Sequence, residues 1–245
     1  MSNDKHLYIC DGECYLNDKG QLVRIENDFD CECPRDWECN MGTFYTWTRS
    51  YMSPDGDKHI APAFDELVES FGFNPDKVTN PAQLANNLNA HGYCALPVSK
   101  YEHSGVIYRV GSPDQFYDRW DSCYCGIIFA SCAKVRELRC VGRVTQRVRN
   151  EVYEEFASEV KLYSDWADGN CHGYIITDQN GDDVDSCWGF IGDDAYANGI
   201  VDYTGELHEC QFSDVDEYLD FINEVHEKAA AILDGMTAAY EDYAA

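Results

Sequence analysis

The chain has 245 residues, of which 44% are hydrophobic, and a formal net charge of −27. This length and apolar content suffice for one substantial core or two small ones, which excludes a disordered chain. The negative charge disfavours direct binding to nucleic-acid phosphates and to anionic membranes. The sequence shows neither a signal-peptide pattern nor an apolar run of about 18 residues, so we expect a cytoplasmic protein without a membrane span.

The chain contains 13 cysteines, an odd number, and no export signal. We therefore expect reduced thiols, most of them small core residues, rather than a disulfide framework. A catalytic cysteine is disfavoured at Cys123 and Cys187, because neither has a histidine nearby in sequence. The preceding acids, Asp121 and Asp185, would also raise a thiol pKa.

Residues 1–150 predict mainly β-strands, because short apolar runs alternate with Gly, Asp and Pro. Two segments among them, Ala63–Phe71 and Pro81–His91, predict helices instead, and the second has a proline in its first turn. The predicted strands are Leu7–Cys10, Gln21–Glu26, Thr43–Arg49, Tyr93–Val98, Val106–Val110 and Gly126–Ala130.

Residues 131–150 form a basic island that carries six cationic residues and one acid, Glu137. The island is either a nucleic-acid contact or a counterion for the acidic segment that follows it. We favour the counterion, because a chain at −27 repels a polyanion at long range. The six cations are Lys134, Arg136, Arg139, Arg143, Arg147 and Arg149.

Residues 151–245 hold 24 acidic and two basic residues, a net charge of −22, against −5 for residues 1–150. Apolar residues spaced by three and four from Val152 to Trp166 predict a helix that ends by Gly169. Next, Gly173–Thr177 and Val184–Phe190 flank Asn180–Gly181, which is a strong β-hairpin signal since both residues tolerate positive φ.

The last predicted element is a helix of about 25 to 30 residues, with Ser213 as N-cap and Asp216 at the capping-box position. Its apolar stripe is predicted to be buried and contains Val215, Leu219, Ile222, Val225, Ala229, Ile232, Leu233, Met236 and Tyr240. Its exposed side carries a ladder of carboxylates about one turn apart, which imitates spaced phosphates. The ladder is Asp214, Glu217, Asp220, Glu224 and Glu227.

These elements predict an α+β fold with a mixed or antiparallel sheet, packed helices and the long acidic C-terminal helix. We expect a strand-rich lobe at 1–150 and an acidic helix-hairpin-helix lobe at 151–245, joined in one compact unit.

The tripeptide Asp-Ser-Cys occurs at 121–123 and at 185–187, each time beside a tryptophan. We interpret the two copies as equivalent strand ends on one core, whose polar side chains line a shared groove able to bind a small ligand such as a nucleotide. The predicted groove residues are His103, Trp120, Asp121, Ser122, Asp185, Ser186 and Trp188.

Metal sites and enzyme motifs have weak support. Cys10, Cys14, Cys31 and Cys33 can in principle enclose a zinc ion, although their spacing does not match common zinc ribbons. The segment 178–185 fails the EF-hand pattern. The sequence has no P-loop, dinucleotide fingerprint or HExxH motif, so we favour a protein that is not an enzyme and needs no cofactor.

Five stretches resemble a family of uncharacterised proteins encoded by bacteriophages and mobile elements, in order and spacing over residues 22–193. This chain departs from the family at Cys123, where glycine is usual, and at Ile191, where tyrosine is usual. The resemblance supplies no catalytic residues. The stretches are "PRDWECNMGT" at 34–43, "RSYMSPDGDKH" at 49–59, "LPVSKYEHSGVIYR" at 96–109, "RWDSCYCGIIFAS" at 119–131 and "DSCWGFIGD" at 185–193.

The resemblance implies a gene that a mobile element expresses in a bacterial host. Together with the charge, the resemblance favours an anti-defence inhibitor that covers the basic surface of a host defence or nucleic-acid-handling protein, with nucleic-acid mimicry as one way to do so. Two alternatives stay open: a ligand-sequestering or hydrolytic protein that uses the groove, and an acidic surface that serves solubility alone. The oligomeric state is also open, and a homo-oligomer is one possibility.

Overall fold

The computed structural model of the protein describes residues 5–48 and 52–244, with the side chains of 235 and 237–244 left aside. The fold is α+β, as predicted, and every strand pair is antiparallel. Within the described ranges, no helix is long and apolar enough to cross a bilayer.

Six helices and nine strands are described in these ranges. The helices are α1 (Phe64–Ser70), α2 (Pro81–Ala90), α3 (Cys132–Leu138), α4 (Gln146–Ala167), α5 (Ile200–Thr204) and α6 (Val215–Ala244). The strands are β1 (Cys14–Leu16), β2 (Leu22–Asn27), β3 (Thr43–Thr46), β4 (Tyr93–Glu102), β5 (Val106–Val110), β6 (Ser122–Ser131), β7 (Cys171–Thr177), β8 (Asp183–Ile191) and β9 (His208–Glu209).

The chain divides into two units, each with its own sheet. The central unit is Glu32–Gly169, with strand order β3-β6-β4-β5. The acidic unit combines Met1–Cys31 with Asn170–Ala245 and has strand order β8-β7-β2-β1-β9. This division differs from the predicted lobes at 1–150 and 151–245. The reason is that β2 pairs with β7 across the sequence, while α4 packs on β4 and β5.

The central unit has three layers, because both faces of its sheet are covered. On one face, Phe156 and Val160 of α4 are fully buried against Phe44 and Ile128. On the other face, Leu84 and Leu88 of α2 pack with residues of α1, β4 and β6. Alternate residues of the strands point to opposite faces, so each strand contributes to both cores.

Helix α4 also satisfies the backbone of the edge strand β5. Ser164 Oγ accepts a hydrogen bond from the Tyr108 N–H at 2.8 Å, and Asp168 Oδ1 accepts one from the Val106 N–H at 2.9 Å. An edge strand otherwise presents unpaired N–H groups that invite pairing with another chain. The bounds of α4 confirm the helix that was predicted from Glu151 to Gly169. The helix begins five residues earlier than predicted, at Gln146.

The acidic unit packs its main core on one face of its sheet, where Val23, Ile25, Tyr174 and Ile176 meet. The other face carries a smaller cluster that joins Leu22 to the first turns of α6. Burial of large apolar side chains of this kind stabilises a fold by about 1.5 to 3 kcal/mol each.

The predicted hairpin at 178–182 is confirmed, with a different turn chemistry. Only Gly181 has a positive φ, of 88°. The Asp178 carboxylate accepts hydrogen bonds from the N–H groups of Asn180 and Asp182, and these bonds lower its pKa. An acid that binds its own turn backbone thus replaces the predicted pair of left-handed residues.

Other predicted elements are changed at their ends. Leu7–Cys10 is not a strand, because only Tyr8 forms a bridge, to Asp194. The strand from Thr43 stops at Thr46, and Arg49, the predicted last residue, lies outside the described residues. Short strands and loops depend on their neighbours in space, which periodicity does not reveal.

Candidate interaction surface

Helix α6 begins with a cap made of two carboxylates. Asp214 Oδ1 accepts a hydrogen bond from the Glu217 N–H at 2.9 Å, and Glu217 Oε2 accepts one from the Ser213 N–H at 2.8 Å. The N-cap is therefore Asp214 and not Ser213, and the reciprocal acid is Glu217 and not Asp216. Both carboxylates lie at the positive end of the helix dipole, which favours them there.

The first two turns of α6 are anchored to the sheet of the acidic unit. The Tyr218 side chain is 1% exposed, packs with Leu22 and Phe212, and donates a hydrogen bond from its hydroxyl to the Gly20 carbonyl at 2.8 Å. Val215, Leu219 and Ile222 are half-buried against the same cluster. The base of the helix is thus held by apolar contacts on one side.

Beyond Ile222 the helix leaves this support. Every side chain described from Asn223 onward is exposed, including the large apolar ones. Ile232, Leu233 and Met236 are 63%, 63% and 66% exposed. The prediction that the whole stripe is buried is therefore wrong after Ile222, and the Tyr240 side chain lies outside the described ones. Helical periodicity identifies an apolar face but not what covers it.

The five predicted partner-binding acids are all exposed at the start of α6. Asp214 and Glu217 form the cap, and Glu224 accepts a hydrogen bond from Lys228 at 2.9 Å. Asp220 lies between the cap and Glu224, and Glu227 follows Glu224. Asp220 and Glu227 are on the same side of the helix, since residues seven apart are separated by nearly two turns. The helix therefore presents carboxylates opposite its apolar stripe.

The first Asp-Ser-Cys copy lies at the start of β6 in the central unit. His103 Nδ1 is 2.9 Å from Asp121 Oδ2, as the grouping of these two residues predicted. Trp120 is 97% exposed, and Ser122 Oγ is buried with no hydrogen-bond partner among the described residues. A carboxylate that orients an imidazole can prepare it as a general base.

Covalent catalysis also needs a nucleophilic side chain within reach of that imidazole. In residues 5–48 and 52–244, no Ser, Thr or Cys side chain is hydrogen-bonded to His103. Aromatic rings lie beside this pair. Tyr101, near the end of β4, stacks on both His103 and Phe116, and Tyr117 is fully exposed. Such rings offer stacking surfaces to a flat ligand.

The second copy lies inside β8 in the acidic unit. Asp185 Oδ2 accepts a hydrogen bond from the Tyr174 hydroxyl at 3.1 Å, and burial together with this bond raises the pKa of Tyr174 to about 12. The Trp188 indole covers Gly173 so closely that a Cβ built there would lie 2.2 Å from the ring. Ser186 is exposed on the same strand. These contacts are structural.

The two copies are therefore not equivalent. Ser122 begins β6 in the four-stranded sheet, whereas residues 185–187 lie within β8 of the five-stranded sheet. The prediction of equivalent strand ends on one core is wrong, because three shared residues do not determine a strand's place in a fold. The predicted shared groove stays a prediction.

The four cysteines considered for zinc are not grouped around a common point in the described part of the chain, and a zinc site there stays a prediction. Cys33 is buried in the core of the central unit, and the Cys14 thiol donates to the Ser213 carbonyl at 3.6 Å. Burial raises the pKa of both thiols. Across the described part of the chain, no three His, Cys, Asp or Glu residues are grouped to hold a metal ion.

The stretch at 34–43 is explained by a buried arginine. The Arg35 side chain is 2% exposed and donates to both oxygens of Asp55, at 2.9 and 2.8 Å. It also donates to Glu159 of α4 at 2.7 Å, to Asn40 Oδ1 at 2.8 Å and to the Gly42 carbonyl at 2.7 Å. Arg35 thus ties its own loop to α4, which is a structural role.

Gly105, in the stretch at 96–109, has a similar explanation. A Cβ built at Gly105 would lie 2.1 Å from Asp168 Oδ1, the oxygen that accepts the hydrogen bond from Val106. Glycine therefore allows α4 to approach the start of β5. The stretches at 34–43 and 96–109 therefore each contain a residue with a structural role, Arg35 and Gly105.

Part of the basic island is neutralised by acids of α4. Arg139 pairs with Glu155, and Arg147 Nε lies 2.9 Å from Glu151. Arg149 instead donates to the Tyr93 carbonyl at 2.7 Å and to Asn89 at 3.1 Å. These contacts agree with the counterion interpretation.

The suggested family stays a prediction, because no protein-family model, no curated protein and no solved structure matches the chain. The functional argument therefore depends on the geometry and charge of the described residues.

Proposed function

We propose that this protein is an accessory protein of a bacteriophage or mobile element that inhibits a host defence or nucleic-acid-handling protein by covering its basic surface. It acts by binding and not by catalysis. The observation that supports this proposal is the exposed carboxylate face of α6, which begins at the Asp214 cap and extends past the last side chain anchored to the sheet.

The charge of the acidic unit supports the same function. This unit holds 25 Asp and Glu residues against four Lys and Arg residues, a net charge of −21 out of −27. A field of one sign over a folded unit raises the association rate with a cationic surface and repels anionic competitors. In the central unit, two cations of the basic island are already paired with acids of α4.

The spacing of the acids on α6 suits a surface that normally holds nucleic acid. Successive carboxylates at Glu217, Asp220, Glu224 and Glu227 are three or four residues apart, which corresponds to about 4.5 to 6 Å along the axis. One DNA strand presents a phosphate about every 3.4 Å of its axis. The carboxylate spacing and the phosphate spacing are of the same order. Flexible Lys and Arg side chains on the partner can therefore bind either set of anions.

A solubilising role predicts that the position of the acids is unimportant, whereas a binding role predicts that those on α6 matter more than others. The triple variant Asp220→Asn, Glu224→Gln, Glu227→Gln tests this difference. A matched control neutralises three exposed acids of the central unit, Glu66, Glu69 and Asp76. Each variant has lost three charges, so solubility and net charge change equally.

The assay is capture from nuclease-treated bacterial lysate by the immobilised full chain, at low and high salt and with duplex DNA as competitor. We expect the parent and the control to retain a specific protein that high salt and DNA release, and the α6 variant to lose it. Capture that is equal for all three chains, or that DNA does not affect, would overturn the proposal.

A second candidate function is supported by the loop of the central unit that carries Tyr117 and Trp120. Two fully exposed aromatic rings beside the His103–Asp121 pair provide stacking surfaces for a base and a hydrogen-bonding group next to them. Binding of a nucleotide is the function that such a surface favours. Thermal-shift measurements with nucleotides and divalent metals test it, with Trp120→Ala as the variant and Phe29→Ala as an exposed aromatic control. No stabilisation of the parent would exclude this function.

A further inference from the structure

The apolar face of α6 is exposed beyond Ile222 in the part of the chain that the structure describes. Val225, Ile232, Leu233 and Met236 are between 43% and 66% exposed and follow one another along a single side of the helix. Most of the stability of helices in proteins comes from packing of an amphipathic face. Contiguous exposed apolar residues of this kind mark interaction sites.

The spacing on this face is that of a coiled coil. If Val215 is position a of a seven-residue repeat, the a and d positions up to Met236 are all apolar, apart from the Tyr218 hydroxyl that binds Gly20. The repeat is sustained for three heptads, and α6 extends to Ala244. The a and d residues are Val215, Tyr218, Ile222, Val225, Ala229, Ile232 and Met236.

The charges of α6 are arranged to permit pairing of identical helices. Up to Met236, all acids occupy positions b, c and f, on the outer side. Within the same range, positions e and g, which face the partner helix, carry no acid, and the acid at a g position, Asp242, lies beyond Met236. They hold Leu219, Phe221, His226, Lys228, Leu233 and Gly235. Two copies can therefore meet along this seam without opposing like-charged acids, even though each chain carries −27.

We propose that the seam of α6 from Val225 to Met236 binds the same seam of a second copy of this chain, forming a two-helix homodimer. A basic partner fits the outer face better than the seam, because the carboxylates are outside. This inference goes beyond the proposed function and does not depend on it. In the dimer, the two acidic faces point away from each other and stay accessible.

The two interactions respond to salt in opposite ways. Dimerisation buries apolar side chains while it brings two chains of −27 together, so screening of the repulsion strengthens it. Binding to a basic surface weakens with salt, because salt screens the attraction between the opposite charges. The salt dependence therefore separates failure of the dimer from failure of the proposed function.

The test is sedimentation equilibrium of the purified full chain over a concentration series, at about 0.1 M and about 1 M salt. The variant Ile232→Glu places a carboxylate in the seam. Its control, Ala231→Glu, places the same charge on the neighbouring outer position, which is also exposed. Thermal unfolding of each variant verifies that the two units remain folded.

We expect the parent and Ala231→Glu to dimerise, more tightly at high salt, and Ile232→Glu to weaken the dimer by at least about 100-fold. A parent that stays monomeric at every concentration overturns the proposal and leaves this face to a different partner. Dimerisation that Ile232→Glu does not weaken overturns it as well, because the contact then lies elsewhere.

Discussion

The substitution Arg35→Ala tests whether the stretch at 34–43 is structural. Arg35 is buried between two carboxylates, since the side chains of Asp55 and Glu159 are 21% and 11% exposed. Removal of the guanidinium leaves both acids without their cation in a site of low polarity. It also removes the donors to Asn40 and to the Gly42 carbonyl.

Loss of one partner from a buried ion pair costs about 3 to 5 kcal/mol. In the variant, Asp55 still accepts a hydrogen bond from the Phe44 N–H, and Glu159 still accepts one from the Met41 N–H. We therefore do not expect a loss of stability above this range. At about 2 to 4 °C per kcal/mol, Tm should fall by about 6 to 20 °C. Arg35→Lys keeps the charge but loses the bidentate hydrogen bonds to Asp55, so we expect a loss of stability intermediate between the parent and Arg35→Ala.

The assay is urea unfolding followed by tryptophan fluorescence and circular dichroism, with Arg147→Ala as control. Arg147 pairs with Glu151 on the surface and its side chain is 89% exposed, so its removal should cost less than about 1 kcal/mol. If Arg35→Ala lowers the free energy of unfolding as little as Arg147→Ala does, the structural interpretation of this stretch is refuted.

Two further predictions concern His172 and Gly173, which both belong to the acidic unit. His172 is buried without a hydrogen-bond partner for either ring nitrogen among the described residues, and desolvation lowers its pKa from 6.5. Its contribution to stability is therefore complete above pH 6.5 and is lost as the pH falls below that value, by at most about 1.4 kcal/mol per pH unit. His172→Phe should make Tm less dependent on pH over a range of about two pH units, from about pH 7 to about pH 5. An unchanged pH dependence of Tm would contradict this. Gly173→Ala should lower Tm because its methyl group collides with Trp188, whereas Gly142→Ala, with no atom within 4 Å, should not. Equal Tm values for the two glycine variants would count against the close contact.

The sequence predicted those elements whose pattern is local. The hairpin at 178–182, α2 behind its Asn80 cap and the long final helix all follow from spacing and turn chemistry. It missed β1, β9 and α5, which have three, two and five residues and no period to detect.

The sequence also did not reveal the contacts that join distant segments. Pairing of β2 with β7 places residues 1–31 beside residues 170–245, and neither strand carries a mark of its partner. For the candidate site, composition identified the acids of α6. The exposure of Val225 and Ile232 depends on where the sheet ends, and a periodic pattern is the same for covered and uncovered faces.

The central claim is that α6 beyond Ile222 is an interaction element and not a part of the core. The most direct test is truncation of the chain after Asn223, followed by measurement of Tm and of lysate capture under the same conditions. We predict a Tm within a few degrees of the parent, since every described side chain removed is exposed, together with loss of the captured protein. A truncated chain that captures the same protein as well as the parent would contradict the claim.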